Sequence, residues 1–373
     1  MSGAVEGLPP PRAAHTLVDD PRGWPQFVRH TLVEGKVVPD TLIAAGGGGS
    51  TFQRPPSEFC GTVVPPGTPD AKHVAEAGRY HLFVSGVCPW ATGVRAARHI
   101  LGLDEVVSMD VADGQSGAGW VMLTGTSCPP WHERQGPFFL HEVYQASEPD
   151  VTTRITVPIL WDKKLGCIVS NDSWAIIKML STAFRSLASK ETPCVPDLAP
   201  EHLATKMEET QAALYDSLLN GVYKAGINLL KKNTGAADEA AAKVYATLDQ
   251  LEEQLSERRF LLGGAEPTAV DIRLFMTLVR YDAAYRQGFA LRGGRGGILV
   301  GDAAEANGKE EPGYPVLGAY VRDMYARVKA AIDWSSFRQY YRWAPGIAAD
   351  QPLPDLARIA ASADATHGRE ALP

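Results

Sequence analysis

The run Tyr80-His81-Leu82-Phe83-Val84-Ser85 leads directly into Cys88-Pro89-Trp90, and no other feature of the chain limits its fold as much. The apolar run predicts a strand. Proline just after it suits the first position of a helix, where its missing N–H costs nothing. A helix over about 91–101 and a second strand over 105–111 complete a β-α-β opening. Farther along, 155–161 predicts a third strand, although Pro158 lies within it and proline is normally rejected from a central strand. Residues 163–166 form a turn, and 167–170 return as a fourth strand in a hairpin. Asn171-Asp172-Ser173 offer capping side chains to a helix ending near Thr182.

The order βαβ–ββα predicts a thioredoxin-like domain, an α/β unit on a mixed four-stranded sheet, over residues 79–192. Pro158 fits that domain if Val157–Pro158 is a cis bond that leaves the backbone open to a ligand. Residues 1–78, with Pro9-Pro10-Pro11, the run Gly46 to Gly49 and two further Pro-Pro pairs, read as an extended N-terminal arm. Residues 114–137 read as an irregular loop. Residues 193–345 read as an all-helical domain. There Leu203, Met207, Leu214 and Leu218 share one helical face, as do Val244, Leu248, Leu251 and Leu255. Thr268 and Asp271 form a capping box ahead of the apolar helix 272–281. A last long helix is predicted over 315–331. Residues 292–313 read as a Gly-rich surface insertion and 346–373 as a C-terminal tail. The fold class is therefore α/β followed by all-α.

Composition enters by exclusion. Lys plus Arg number 36 against 43 acids, a net charge of −7, which leaves no basic excess to hold nucleic acid. No run approaches the length of a membrane span. The first 24 residues lack an apolar core and carry Glu6, Asp19 and Asp20, against a secretion or transit signal. Five scattered cysteines make a disulfide framework unexpected. A cytoplasmic protein without nucleic-acid or membrane partners is the expectation.

Cys88 is the sharpest chemical signal. Unpaired N–H groups and the positive end of the dipole at a helix start favour a thiolate. Ala91 stands where a resolving cysteine would be, so a mixed disulfide formed here must be released by an external thiol. A buried structural role is the commoner fate of a lone cysteine, but the strand–Cys-Pro–helix context outweighs it. Backbone beside Val157-Pro158 can pair with an extended peptide. Asp172-Ser173, by itself an ordinary helix cap, can hold the charged end of a small peptide. Together the three describe a glutathione site. Cys128-Pro129-Pro130-Trp131 echoes the active tetrapeptide, but no strand precedes it. Cys128, His132 and His141 match no metal-site spacing, and no metal is expected.

These residues resemble a known family. Arg79 to Leu82 leading into Cys88-Pro89-Trp90-Ala91, the pair Gly119-Trp120, Arg154 to Asp162 and Ile168 to Ser173 are similar to the xi-class glutathione transferases, the glutathionyl-hydroquinone reductases. So are Asn220 to Gly226, Asp271 to Phe275, and Tyr340-Tyr341. The resemblance implies a homodimer that uses glutathione as co-substrate. It implies that Cys88 attacks the sulfur of an aromatic, hydroquinone-type glutathione conjugate. By the same match Trp120, Val157, Pro158, Asp172 and Ser173 hold glutathione, while Tyr223, Tyr340 and Tyr341 face the aromatic substrate. Two alternatives stand beside it: a transferase or lyase for another glutathionyl or thioether substrate, and a non-catalytic binder of hydrophobic ligands. The family has His-Arg after Cys-Pro-Trp-Ala where this chain has Thr92-Gly93, which removes a positive charge from the first helical turn. Arg95, in the next turn, is the one candidate to replace it. Glu precedes the serine in the family, and here Asp172 does.

Overall fold

A computed structural model describes residues 30–39, 56–116, 119–189, 195–291, 296–300, 313–341 and 356–373. The central sheet is built from β3 (Tyr80–Ser85), β4 (Ser108–Ala112), β9 (Ile159–Asp162) and β10 (Cys167–Ser170), in the order β10-β9-β3-β4. β3 pairs parallel with β4, antiparallel with β9, and β9 antiparallel with β10. All six residues of β3 are buried, which explains why the run is apolar without alternation. The two helices of this unit are α1 (Pro89–Ile100), between β3 and β4, and α3 (Ser173–Thr182), after β10. Between them lies a shorter helix, α2 (His141–Ser147).

The expected third strand starts later than predicted. The Val157–Pro158 bond is cis, and ladder pairing begins only at Ile159, opposite Phe83. Thr153-Arg154 form a separate strand, β8, against an N-terminal hairpin of β1 (His30–Val33) and β2 (Lys36–Pro39). The arm therefore wraps where it is described. Leu32 is fully buried, and Gly61 N–H donates to Val169 O at 2.8 Å beside a bridge between Cys60 and Ser170. The expected loop 114–137 is partly sheet: β5 (Gly114–Ser116) and β6 (Gly119–Met122) form a hairpin, which continues to β7 (Phe138–Phe139). Five glycines and three prolines give that segment the look of a loop, yet its strands are short enough to lie between them.

Asp162 closes the sheet domain beneath β3. Burial pushes its carboxyl up, but hydrogen bonds from Arg79 and His73 outweigh that and hold it below the usual carboxylate range. Cys128, fully buried behind the sheet, has its thiol pushed up to about 12 by burial, so it is an inert packing residue.

The helical half comprises α4 (Ala204–Leu214), α5 (Gly221–Leu230), α6 (Thr234–Gln254), α7 (Ala269–Leu278), α8 (Pro315–Val328), α9 (Trp334–Tyr341) and α10 (Leu356–Ala363). The predicted stripe of Val244, Leu248, Leu251 and Leu255 is buried throughout. Thr268 N–H donates to Asp271 Oδ2 at 2.9 Å, completing the capping box. Two π-helical turns, Tyr215–Leu219 and Tyr281–Tyr285, interrupt the regular pattern. α1 lies between α3 and α7, and Gly93 is the point of contact: a β-carbon there would stand 3.6 Å from Met276 and 3.7 Å from Ile177.

One expectation at the C-terminal side changes. The insertion is not wholly a surface loop, because 296–299 are buried and Asp282 accepts the N–H groups of Ile298, Leu299 and Val300. The remainder, 292–295 and 301–312, lies outside the described residues. The C-terminal tail is anchored where it is described. Arg369 donates to the carbonyls of Leu255, Arg258 and Arg259, and Arg259 N–H donates to Pro373 O at 2.8 Å.

Candidate functional site

The end of β3, the start of α1, the Val157-Pro158 turn and the start of α3 converge on one open cavity of about 360 Å³. Cys88 sits on its wall as the N-cap of α1, in extended backbone with φ −77° and ψ 117°. Pro89 at the first helical position adds no unsatisfied donor there. The Cys88 thiol faces Val157 O at 3.8 Å across the cavity floor. Cys60, Cys128 and Cys167, the other described cysteines, do not line it.

Of the residues expected at the site, Cys88, Trp120, Val157, Pro158, Asp172, Ser173 and Tyr223 all line this cavity. Tyr340 and Tyr341 end α9, but their side chains lie outside the described residues. Asp172 is the N-cap of α3, its Oδ1 accepting the Ala175 N–H at 2.8 Å. Its Oδ2 makes no hydrogen bond among the described residues. Glu58 and Arg154 complete the rim together with Arg273. Two guanidinium groups and two carboxylates around one cleft match a ligand carrying charges of both signs.

The helical domain supplies an aromatic wall. Trp90 contacts Tyr215 with ring centroids 5.6 Å apart and Tyr223 at 6.5 Å. Tyr223 and Tyr285 share a hydrogen bond of 3.1 Å between their hydroxyls, and Phe289 stacks on Tyr285 at 5.5 Å. Tyr215 and Tyr285 both belong to the π-helical turns, which re-aim side chains relative to a regular helix and recur at functional sites. Gly226 lets Phe289 approach, since a β-carbon there would collide with the ring at 2.3 Å.

Beneath the Cys88 loop lies a group that sequence reasoning missed. Arg280 of the helical domain is fully buried and donates to Gly86 O at 3.1 Å, Val87 O at 3.4 Å and Thr92 Oγ1 at 2.9 Å. Its guanidinium lies 4.3 Å over the Phe337 ring. Arg95, the candidate substitute read from sequence, instead reaches Ala330 O at 3.0 Å. Nothing in the local pattern marks Arg280, because it comes from the turn after α7, 188 residues away from Thr92.

Comparison with known proteins agrees with this geometry. The glutathione S-transferase N-terminal domain family matches residues 87–183, and its C-terminal domain family matches residues 234–323. Glutathionyl-hydroquinone reductase YqjG of Escherichia coli is 38% identical over 262 residues, covering 68% of this chain and 76% of the relative. This chain belongs to the xi-class glutathione transferases. A second reductase relative, PcpF of Sphingobium chlorophenolicum, is 36% identical over 259 residues, covering 69% of this chain and 78% of its own. Among solved structures, the xi-class transferase of Natrialba magadii superposes with a TM-score of 0.71 at 28% identity, over 94% of this chain and 99% of that one. The glutathione-bound structure of Escherichia coli YqjG gives 0.68 at 31% identity, over 91% and 99%. The two-domain architecture is thus that of a glutathione transferase, a thioredoxin-type domain followed by a helical one. Among the described residues no group of His, Cys, Asp and Glu could hold a metal ion, and no helix is long and apolar enough to cross a membrane.

Proposed function

We propose that this xi-class transferase removes glutathione from aromatic, hydroquinone-type conjugates, using Cys88 as nucleophile and a second glutathione as reductant. The observation that carries the reading is Cys88 at the start of α1, facing the cis-proline turn in a cavity that no other described cysteine lines. The names of the two reductase relatives support the same chemistry.

In the first step the Cys88 thiolate attacks the conjugate's sulfur, forming an S–S bond as the aromatic C–S bond breaks. The electron pair of that bond stays on the ring carbon, which takes up a proton and leaves as the hydroquinone. Cys88 is then joined to glutathione. A second glutathione thiolate attacks this mixed disulfide, releasing oxidised glutathione and restoring Cys88. Conjugate plus one glutathione therefore give hydroquinone plus one disulfide.

Trp120, the Val157 backbone, Asp172 and Ser173 would hold the glutathione, and Tyr223 would meet the aromatic ring. Tyr223 suits that role because its hydroxyl is already bonded to Tyr285 while the ring borders the cavity. A pure ligand binder would have no use for a thiol at a helix start.

The test is turnover of the reduced conjugate, glutathionyl-menadiol, with excess glutathione. Wild-type protein should release the free quinol and oxidised glutathione in equal amounts. Cys88→Ser should lose at least about a hundredfold, since a hydroxyl is a far weaker nucleophile at neutral pH. A serine variant within tenfold of wild type would contradict the mechanism.

A further inference from the structure

Arg273 reaches the start of α3 from the helical domain and is almost completely buried, at 5% exposure. Its NH1 donates to Ser173 Oγ at 3.0 Å. The guanidinium lies 4.6 Å over the Trp90 ring and 5.9 Å from that of Trp174. Trp174 is itself fixed, its Nε1 donating to Glu208 Oε2 at 2.8 Å. Two aromatic rings thus pack against one guanidinium, a planar group that presents its N–H groups as a fork.

The groups around that fork share one sign. The N–H groups of Ser173 and Trp174 open α3 and make no hydrogen bond among the described residues, whereas that of Ala175 is taken by Asp172. Because Ser173 Oγ accepts from a cation, its own O–H is left to donate elsewhere. Two backbone donors, one hydroxyl donor and a buried cation therefore meet at one point of the cavity wall, with a carboxylate, Asp172, adjacent.

We infer that Arg273 binds the α-carboxylate of the γ-glutamyl residue of glutathione, so that the helical domain completes the peptide site. The inference rests on the glutathione reading above and adds to it a specificity-determining residue from the other domain. A carboxylate seated on α3 would accept from the Ser173 and Trp174 N–H groups, from the Ser173 hydroxyl and from the guanidinium, while Asp172 takes the neighbouring ammonium. Charge-assisted bonds of this kind are short and among the strongest that a protein makes.

The experiment is calorimetric titration of the full-length chain with reduced glutathione and with 4-aminobutyryl-cysteinyl-glycine, which lacks only that carboxylate. Wild type should bind glutathione at least about tenfold tighter than the analogue. In Arg273→Gln the two affinities should converge to within about twofold, the loss falling on glutathione alone, and Arg273→Lys should restore part of the difference. Equal losses on both ligands, or an unchanged tenfold gap in Arg273→Gln, would overturn the assignment while leaving the glutathione reading intact. Thermal melts of both variants exclude misfolding as the cause. Failure of wild type to bind either peptide would overturn the glutathione reading and the inference with it.

Discussion

The proposed site gives Asp172 two duties, one for each oxygen. Oδ1 caps α3 through the Ala175 N–H, and Oδ2 would take the ligand ammonium. Asn keeps the cap but loses the charge, because Asn and Asp are nearly equal N-caps. Asp172→Asn should therefore keep the melting temperature of wild type while weakening glutathione binding about tenfold. Unchanged affinity would reduce Asp172 to a helix cap. Both duties are legible in sequence because caps and ligand-holding acids lie next to the helix they serve. Arg273 and Arg280 are not. Arg273 is a charged residue within the apolar helix α7 and Arg280 lies in the turn just after it, and only the packing of one domain on the other shows that each is buried against the site.

Among the elements, α1 and its loop decide where Cys88 stands. Thr92-Gly93 looks like a lost positive charge when read along the chain. The structure gives both residues other work. Gly93 admits α7, and the Thr92 hydroxyl donates within its own loop while accepting from Arg280. A positive charge does lie under the loop, but it comes from the helical domain. Arg280→Met would leave the Val87 carbonyl without that buried donor and the Gly86 carbonyl with the Thr92 hydroxyl alone. It should cost about 2 kcal/mol in chemical denaturation, where an orphaned buried acceptor is worth about 1–3 kcal/mol. A loss below about 1 kcal/mol would show that the loop holds itself. The strand order and the two capping motifs were readable from period and cap chemistry. The β5–β6–β7 sheet was not, because its strands are short and glycine-rich.

For the whole molecule, the β-α-β opening, the hairpin and the helical second half follow from local pattern, whereas the ends do not. The hairpin 30–39 is held by β8 more than a hundred residues away, and Arg369 by carbonyls near residue 258. No periodicity within either segment reports such partners. The resemblance to xi-class enzymes also predicts a homodimer, a self-complementary assembly on a two-fold axis. Light scattering at micromolar concentration should give twice the chain mass of 40.2 kDa, and a stable monomer would contradict that expectation.

The central claim is that Cys88 becomes covalently joined to glutathione during turnover. Mass spectrometry of the protein mixed with glutathionyl-menadiol in the absence of free glutathione tests it directly. The account predicts one glutathionyl group per chain, on the peptide containing Cys88, removed when glutathione is then added. Release of the quinol with Cys88 unmodified, or an adduct confined to Cys60, Cys128, Cys167 or Cys194, would contradict it.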